Sequence, residues 1–345
     1  MATKIDIISG FLGAGKTTLI KKLLKEAYAD EQVVLIENEF GEIGIDGGFL
    51  KEAGIQIREM NSGCICCSLV GDFGTSLKEV VDKYHPDRIL IEPSGVGKLS
   101  DVIKAVQGVE EDVDIQLNSY TTVVDAKKCK MYMRNFGEFF DNQVEYAGAI
   151  IMSRTDIIDE KKAQQAMELL RGINAKAAII TTPIEKLDGK KILEVMEKPV
   201  SLEEELMAEE EVCPECGHVH EHGEHHHHDH DHDHECGCGC GHHHHDHEGH
   251  HHADDVFTSW GKETIRTYTK EEIGNILKTL EEDGSYGNIL RAKGMVAGAD
   301  GEWIYFDMVP GEHEVRTGAP EYTGRICVIG AEIKEDKLVE LFQVK

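Results

Sequence analysis

Residues 10–17, Gly-Phe-Leu-Gly-Ala-Gly-Lys-Thr, constrain the fold more than any other stretch of the chain. They follow the apolar run Ile5-Asp6-Ile7-Ile8 and lead into an amphipathic segment over Thr17–Ala27. A strand that ends in a glycine-rich turn and enters a helix through Lys-Thr is a P-loop. Glycines let backbone N–H groups converge on an anion, and the helix N-terminus adds positive potential there. In this layout Gly10, Gly13, Ala14 and Gly15 cradle phosphate oxygens. Lys16 reaches the β- and γ-phosphates, and Thr17 turns its hydroxyl to Mg²⁺. A tight turn with an exposed lysine is the bland alternative, and it gives no reason for the strand before or the helix after.

Three zones follow from the pattern of the rest. Residues 1–199 alternate apolar runs with helical segments. Val33–Ile36, Arg88–Ile91, Thr121–Val124, Ala149–Met152 and Ala178–Ile180 read as further strands. Thr17–Ala27, Ser68–Lys83 and Glu160–Leu170 read as helices among them. Strands alternating with helices predict βαβ units and a mainly parallel sheet covered on both faces. The fold class is therefore α/β, a P-loop domain followed by two further zones.

Residues 200–255 are low-complexity and hold 18 of the 20 His, with 17 Asp and Glu and no Lys or Arg. Such a composition has too few apolar groups to pack a core, which predicts a disordered linker in the absence of metal. Residues 256–345 return to ordinary patterning. Thr264–Thr267, Ile289–Val296, Trp303–Met308 and Arg325–Ile329 read as strands, and Lys270–Glu281 and Glu335–Phe342 as helices. These predict a small C-terminal α+β domain.

The net charge of −29 argues against nucleic acid as a partner, because phosphate backbones would be repelled. No run approaches the roughly 18–20 apolar residues of a membrane span. Met1-Ala2-Thr3-Lys4 leads straight into the first strand without a signal-peptide layout, which predicts a cytoplasmic protein. Eight of the ten Cys fall in two clusters, Cys64, Cys66 and Cys67, then Cys213, Cys216, Cys236, Cys238 and Cys240. In a reducing compartment such spacings suit metal better than disulfides. Cys129 and Cys327 stand alone and read as ordinary core or surface thiols.

Three further motifs carry chemistry. Ile91-Glu92-Pro93-Ser94-Gly95 ends a strand, so the Glu92 carboxylate points into the crevice where open α/β sheets bind ligands. Glu92 can hold Mg²⁺ through water or orient an attacking water, and Gly95 lets the backbone approach the γ-phosphate. Ser153-Arg154-Thr155-Asp156 occupies the place where guanine readers carry Asn-Lys-x-Asp. Asp156 can accept both N–H groups of the guanine edge, and Arg154 can stack on a base. Ser153 and Arg154 depart from the pattern, and a helix N-cap is the plain alternative for Asp156. Gly63-Cys64-Ile65-Cys66-Cys67 sets three thiolates within four residues, a soft donor set that prefers Zn²⁺ or Cu(I) to Mg²⁺. The carboxylates of Glu37-Asn38-Glu39-Phe40-Gly41-Glu42 offer oxygen donors to complete a mixed site.

Through these residues the chain resembles the CobW-like metallochaperone GTPases. Gly10–Thr18, Glu37–Glu42, Gly63–Cys67 and Glu92–Gly95 match that family's signatures, with Thr18 closing the nucleotide loop. Arg291-Ala292-Lys293-Gly294 and Val328-Ile329-Gly330 resemble its C-terminal domain. The resemblance implies a SIMIBI-type P-loop domain, slow hydrolysis of GTP to GDP, and dimerisation or partner docking gated by nucleotide. It also implies a metal site at the Cys motif, with Glu37, Glu42 and Cys66 as candidate ligands.

The His tract resembles metal-binding inserts of some members of that family. Its imidazoles suit Zn²⁺, Co²⁺, Ni²⁺ or Cu²⁺. Within it Cys213, Cys216, His218 and His220 form a knuckle-like set that fits one ordered Zn²⁺. The leading expectation is a GTP-dependent metallochaperone, most simply for zinc, that serves a client metalloprotein. The competing readings are a metal buffer with incidental GTPase activity, cobalt handling linked to cobalamin, and a regulatory G protein acting through protein contacts alone.

Overall fold

Period-2 burial along the central strands explains the architecture. In a computed structural model, Ile5 and Ile7 of β1 (Thr3–Gly10) enter one core while Ile8 enters the other. Val34 and Ile36 of β2 (Val33–Glu37) face the first core, and Val33 and Leu35 face the second. β4 (Arg88–Glu92) divides the same way, with Ile89 and Ile91 against Leu90. A strand apolar on both faces needs cover on both, which is what βαβ crossovers supply. The structure describes residues 2–37, 56–59, 70–110, 112–198 and 258–344.

Among the described residues, seven strands form one sheet in the order β3-β2-β4-β1-β5-β6-β7, every pair parallel. The remaining four are β3 (Gln56–Glu59), β5 (Ile115–Asp125), β6 (Ala149–Ser153) and β7 (Ala178–Ile180). On one face lie α2 (Val70–Tyr84), α3 (Leu99–Gln107), α4 (Cys129–Glu145) and α5 (Glu160–Ile173). On the other lie α1 (Lys16–Glu26) and α6 (Gly189–Glu197). The expected parallel α/β sheet is therefore present. β3 was not expected, and β5 begins six residues before the expected Thr121.

A second sheet follows in the order β12-β11-β10-β13-β8, with β9 paired to β10. Its strands are β8 (Thr258–Thr264), β9 (Thr267–Tyr268), β10 (Asn288–Gly298), β11 (Trp303–Val309), β12 (Glu312–Gly318) and β13 (Gly324–Ala331). Helices α7 (Lys270–Glu282) and α8 (Glu335–Phe342) cover one face through Ile273, Leu277, Leu338 and Phe342. The expected strand over Thr264–Thr267 is corrected. Those residues straddle a break between β8 and β9, which pair with different neighbours, β13 and β10. β12 escapes sequence reading because six of its seven residues are exposed and carry no alternation.

The two units are joined by a polar seam. The amides of Thr181 and Thr182 both donate to the Tyr322 carbonyl, at 2.9 and 3.1 Å. Arg171 donates from Nε to Glu263 at 2.9 Å. Tyr322 is buried among the α1/α6-side core residues of the first unit.

Candidate nucleotide and metal site

Five strand ends, those of β1, β2, β4, β5 and β6, and one helix start converge at the carboxyl edge of the parallel sheet. β1 ends at Gly10, where the backbone runs against β5. A Cβ there would stand 2.3 Å from the Val123 carbonyl oxygen, and φ is +143°, so only glycine fits. Phe11 then anchors the loop. Its ring lies 4.5 Å from that of Tyr132 and 5.1 Å from that of Phe136, both on α4. Gly15 is the N-cap of α1, which has neither a side-chain cap nor an acidic residue in its first turn. Helices α5, α6 and α7 are capped by Asp159, Asp188 and Thr269; α3, α4 and α8 also begin without a side-chain cap, but each starts from a lysine, and α1 alone of these uncapped helices starts from a glycine. A helix start left without a side-chain acceptor, beside a glycine turn, is built to receive an anion.

Lys16 is buried and folds back over the loop. Its Nζ donates to the Gly10 carbonyl at 3.1 Å and stands 3.7 Å from Glu92 Oε1. Thr17 is half-buried and Thr18 exposed. Glu92 is 3% exposed and is the direct register partner of Glu37, itself 5% exposed, across β4 and β2. Two carboxylates set side by side away from water favour a nearby cation, since burial otherwise penalises both charges. Hard oxygen donors from Glu37, Glu92 and Thr17 fit the chemistry of Mg²⁺.

The loop after Glu92 is held from α4. Gln143 is fully buried and donates from Nε2 to the carbonyls of Gly95 and Gly97, at 3.1 and 2.8 Å. Gly95 packs on the P-loop, where a Cβ would stand 3.0 Å from the Leu12 amide nitrogen.

Ser153 and Arg154 are tied to the phosphate loop. Ser153 Oγ donates to the Ala14 carbonyl at 2.6 Å. Arg154, with φ +62°, donates from Nη1 to Asp125 at 2.6 Å and from Nη2 to the Gly13 carbonyl at 3.0 Å. The departures from Asn-Lys thus clasp the glycine-rich loop at Gly13 and Ala14. Asp156 is exposed in a 3-10 turn over Thr155–Ile157. It does not cap α5; Asp159 does, accepting from the Lys162 amide at 2.8 Å.

Asp125 and Gln143 were not singled out from sequence. Asp125 is 1% exposed at the end of β5, and Oδ1 also accepts from the Lys127 amide at 3.0 Å. The rule that flagged Glu92, a carboxylate ending an apolar strand, also finds Asp125. No local signal marks Gln143, since its partners lie more than forty residues away. Burial pushes the Cys129 thiol up to about 12, with the Asp125 and Asp141 carboxylates adding to it, so it is an inert core thiol. Cys327 is buried as well.

Glu42, Cys64, Cys66, Cys67, Cys213, Cys216, His218 and His220 lie outside the described residues. Among the described residues no group of three or more His, Cys, Asp or Glu is arranged to hold a metal ion.

The model of the CobW/HypB/UreG nucleotide-binding domain matches residues 4–181, more than half of the chain. The chain belongs to the CobW/HypB/UreG family. The match contains the whole of the edge described above, from Gly10 to Asp156. Zinc chaperone YjiA of Escherichia coli is 32% identical over 185 residues, 51% of this chain and 56% of that protein. Zinc chaperone CobW of Sinorhizobium sp is 32% identical over 181 residues, 44% and 51% of the two chains. Zinc-regulated GTPase metalloprotein activator 1 of Schizosaccharomyces pombe is 27% identical over 194 residues, 53% and 46%. The chain spans about half the length of the curated relatives it matches. As a CobW/HypB/UreG nucleotide-binding domain, the first unit carries its phosphate loop, Glu92 loop and Ser153–Asp156 turn on one continuous edge.

Proposed function

We propose that this chain is a GTPase that carries zinc as cargo and hands it to a client metalloprotein, with release gated by GTP hydrolysis. One observation carries the reading: Glu37 and Glu92 are register partners beside Lys16. Glu37 is the last residue of β2 and leads into the segment bearing Glu42 and, beyond it, Cys64, Cys66 and Cys67. The γ-phosphate end of the nucleotide and the start of the metal-bearing segment thus meet at one pair of carboxylates. Three relatives named for zinc support the choice of cargo.

In this reading Lys16 leaves the Gly10 carbonyl for the β- and γ-phosphate oxygens. The amides at the start of α1 hold the phosphate charge. Glu92 orients the attacking water, with Gln143 fixing the loop behind it. Thr17, Glu92 and Glu37 would hold Mg²⁺, which neutralises charge developing on the phosphate oxygens. Asp156 reads the guanine edge. Loss of the γ-phosphate then alters the surroundings of Glu37 and so the zinc ligands that follow it, an order change of the kind used by nucleotide switches.

The reading takes residues 1–199 as the nucleotide unit, 200–255 as a metal-holding tract and 256–345 as the second unit. The tract, with Cys213, Cys216, His218 and His220, acts as a tethered reservoir that raises local zinc concentration. The partner is a protein, either the client or a second copy bound in the nucleotide-loaded state, and not nucleic acid or a membrane. The net charge of −29 supports this, since phosphate-bearing surfaces would be repelled. The site of action is the cytoplasm.

Phosphate release from GTP, with and without zinc, tests the proposal. Wild type should hydrolyse GTP slowly with a rate that zinc changes. Lys16→Ala should abolish hydrolysis, and Cys66→Ala should keep it while removing the zinc effect. Hydrolysis indifferent to zinc in wild type would favour a metal store with incidental GTPase activity.

A further inference from the structure

The seam between the two units holds a half-open cavity of about 290 Å³. On the first unit it is lined by Asp156, Thr182 and Pro183; on the second by Ala297, Trp303 and Pro320. This volume lies at the lower end of ligand pockets, about 300–1,000 Å³. It has room for a ring system but not for a whole nucleotide. The phosphate loop is not among its walls. Asp156 therefore shares a cavity with the second unit, while the glycine-rich loop over residues 10–17 lies outside it.

The walls are fixed to one another. Thr181 and Thr182 follow β7 at the same carboxyl edge that carries the P-loop. Both their amides bond the Tyr322 carbonyl. Thr182 Oγ1 donates to the Glu321 carbonyl at 2.7 Å, and the hydroxyls of Thr181 and Thr323 are 3.0 Å apart. The loop on the first-unit side is thus shaped by the connection between β12 and β13. Trp303 is 6% exposed and Ala297 partly buried, and with Pro320 they give the second-unit side apolar surface beside its Thr264 and Thr267. A flat aromatic base with one polar edge suits such a slot.

We infer that the second unit completes the pocket for the purine base, with Trp303, Ala297 and Pro320 as its far wall and Asp156 on the base edge. The inference rests on the guanine reading proposed above. Nucleotide occupancy is thereby felt by the second unit directly, through its own side chains.

Two measurements on the full chain test this. Ala297→Phe fills the cavity from β10 and touches no phosphate-binding group. It should weaken GDP binding roughly tenfold, while affinity for inorganic tripolyphosphate stays as in wild type. The chain has two Trp, so Trp260→Phe leaves Trp303 as the sole indole reporter. Its emission should change in step with GDP binding and not with tripolyphosphate binding, a readout that needs no cavity-filling variant to fold. GDP affinity unchanged in Ala297→Phe, or Trp303 emission blind to GDP, would overturn the inference. A wild type that does not prefer GTP to ITP or ATP would instead sink the guanine reading on which it stands.

Discussion

Asp125→Asn isolates the contribution of a buried carboxylate that is linked to the phosphate loop through Arg154. The replacement keeps the shape of the side chain and an oxygen acceptor for the Lys127 amide, but removes the charge that Arg154 Nη1 meets at 2.6 Å. A hydrogen bond to a charged group contributes about 1.5–3 kcal/mol. Arg154 is 40% exposed, so solvent screening lowers this to about 1–1.5 kcal/mol. The guanidinium then loses the anchor that directs Nη2 to the Gly13 carbonyl. The loss should fall on nucleotide affinity, by roughly tenfold. A fluorescent-GDP titration reads it. Arg154→Ala should cost a similar factor, and the double variant little more, because both changes break one clasp. An unchanged GDP affinity in Asp125→Asn, or additive losses in the double variant, would refute the reasoning.

Asp156→Asn should move preference from guanine toward xanthine nucleotides, since the amide donates where xanthine carries a carbonyl; competition between GTP and XTP measures it. Removal of residues 212–253 should leave GDP affinity and basal hydrolysis intact while lowering zinc bound per chain in equilibrium dialysis. Glu197 accepts from Asn118 at 2.9 Å and Arg88 at 3.1 Å. Burial raises its carboxyl, but these two bonds and the Arg88 charge prevail and hold it below the ordinary 4.5. Its stabilisation is therefore present above about pH 4.5 and lost as pH falls through the lower folded value. Glu197→Gln should melt earlier at neutral pH and lose less of its melting temperature on acidification than wild type does.

The glycine turn between β1 and α1 was legible because its signal is local: glycines, lysine and threonine lie within eight residues of one another. The strands were legible where both faces are buried, as in β2 and β4, since uninterrupted apolar runs have few other uses, and in β1, where only Asp6 interrupts the run from Ile5 to Ile8. β12 was not, because an exposed edge strand carries no burial pattern. Glu37 was read only as a partner of the distant Cys motif. Its pairing with Glu92 depends on β2 and β4 being neighbours, which the sequence order of the strands does not reveal. The clasp from Ser153 and Arg154 was hidden for the same reason: the residues that broke the guanine pattern bond carbonyls some 140 positions earlier. The cavity between the units depends on how two sheets distant in sequence meet, and no motif encodes that.

The central claim is that nucleotide and zinc are coupled through the carboxylates at the end of β2 and β4. The most direct test is the zinc affinity of the full chain, measured by competition with a chromophoric chelator, with a non-hydrolysable GTP analogue or GDP bound. Typical coupling free energies of about 1–3 kcal/mol correspond to roughly 5–150-fold. The account predicts one tight zinc site whose affinity differs by at least roughly tenfold between the two states, and whose loss in Cys66→Ala leaves the weaker sites unchanged. Equal tight-site affinity with GTP analogue and with GDP would contradict it.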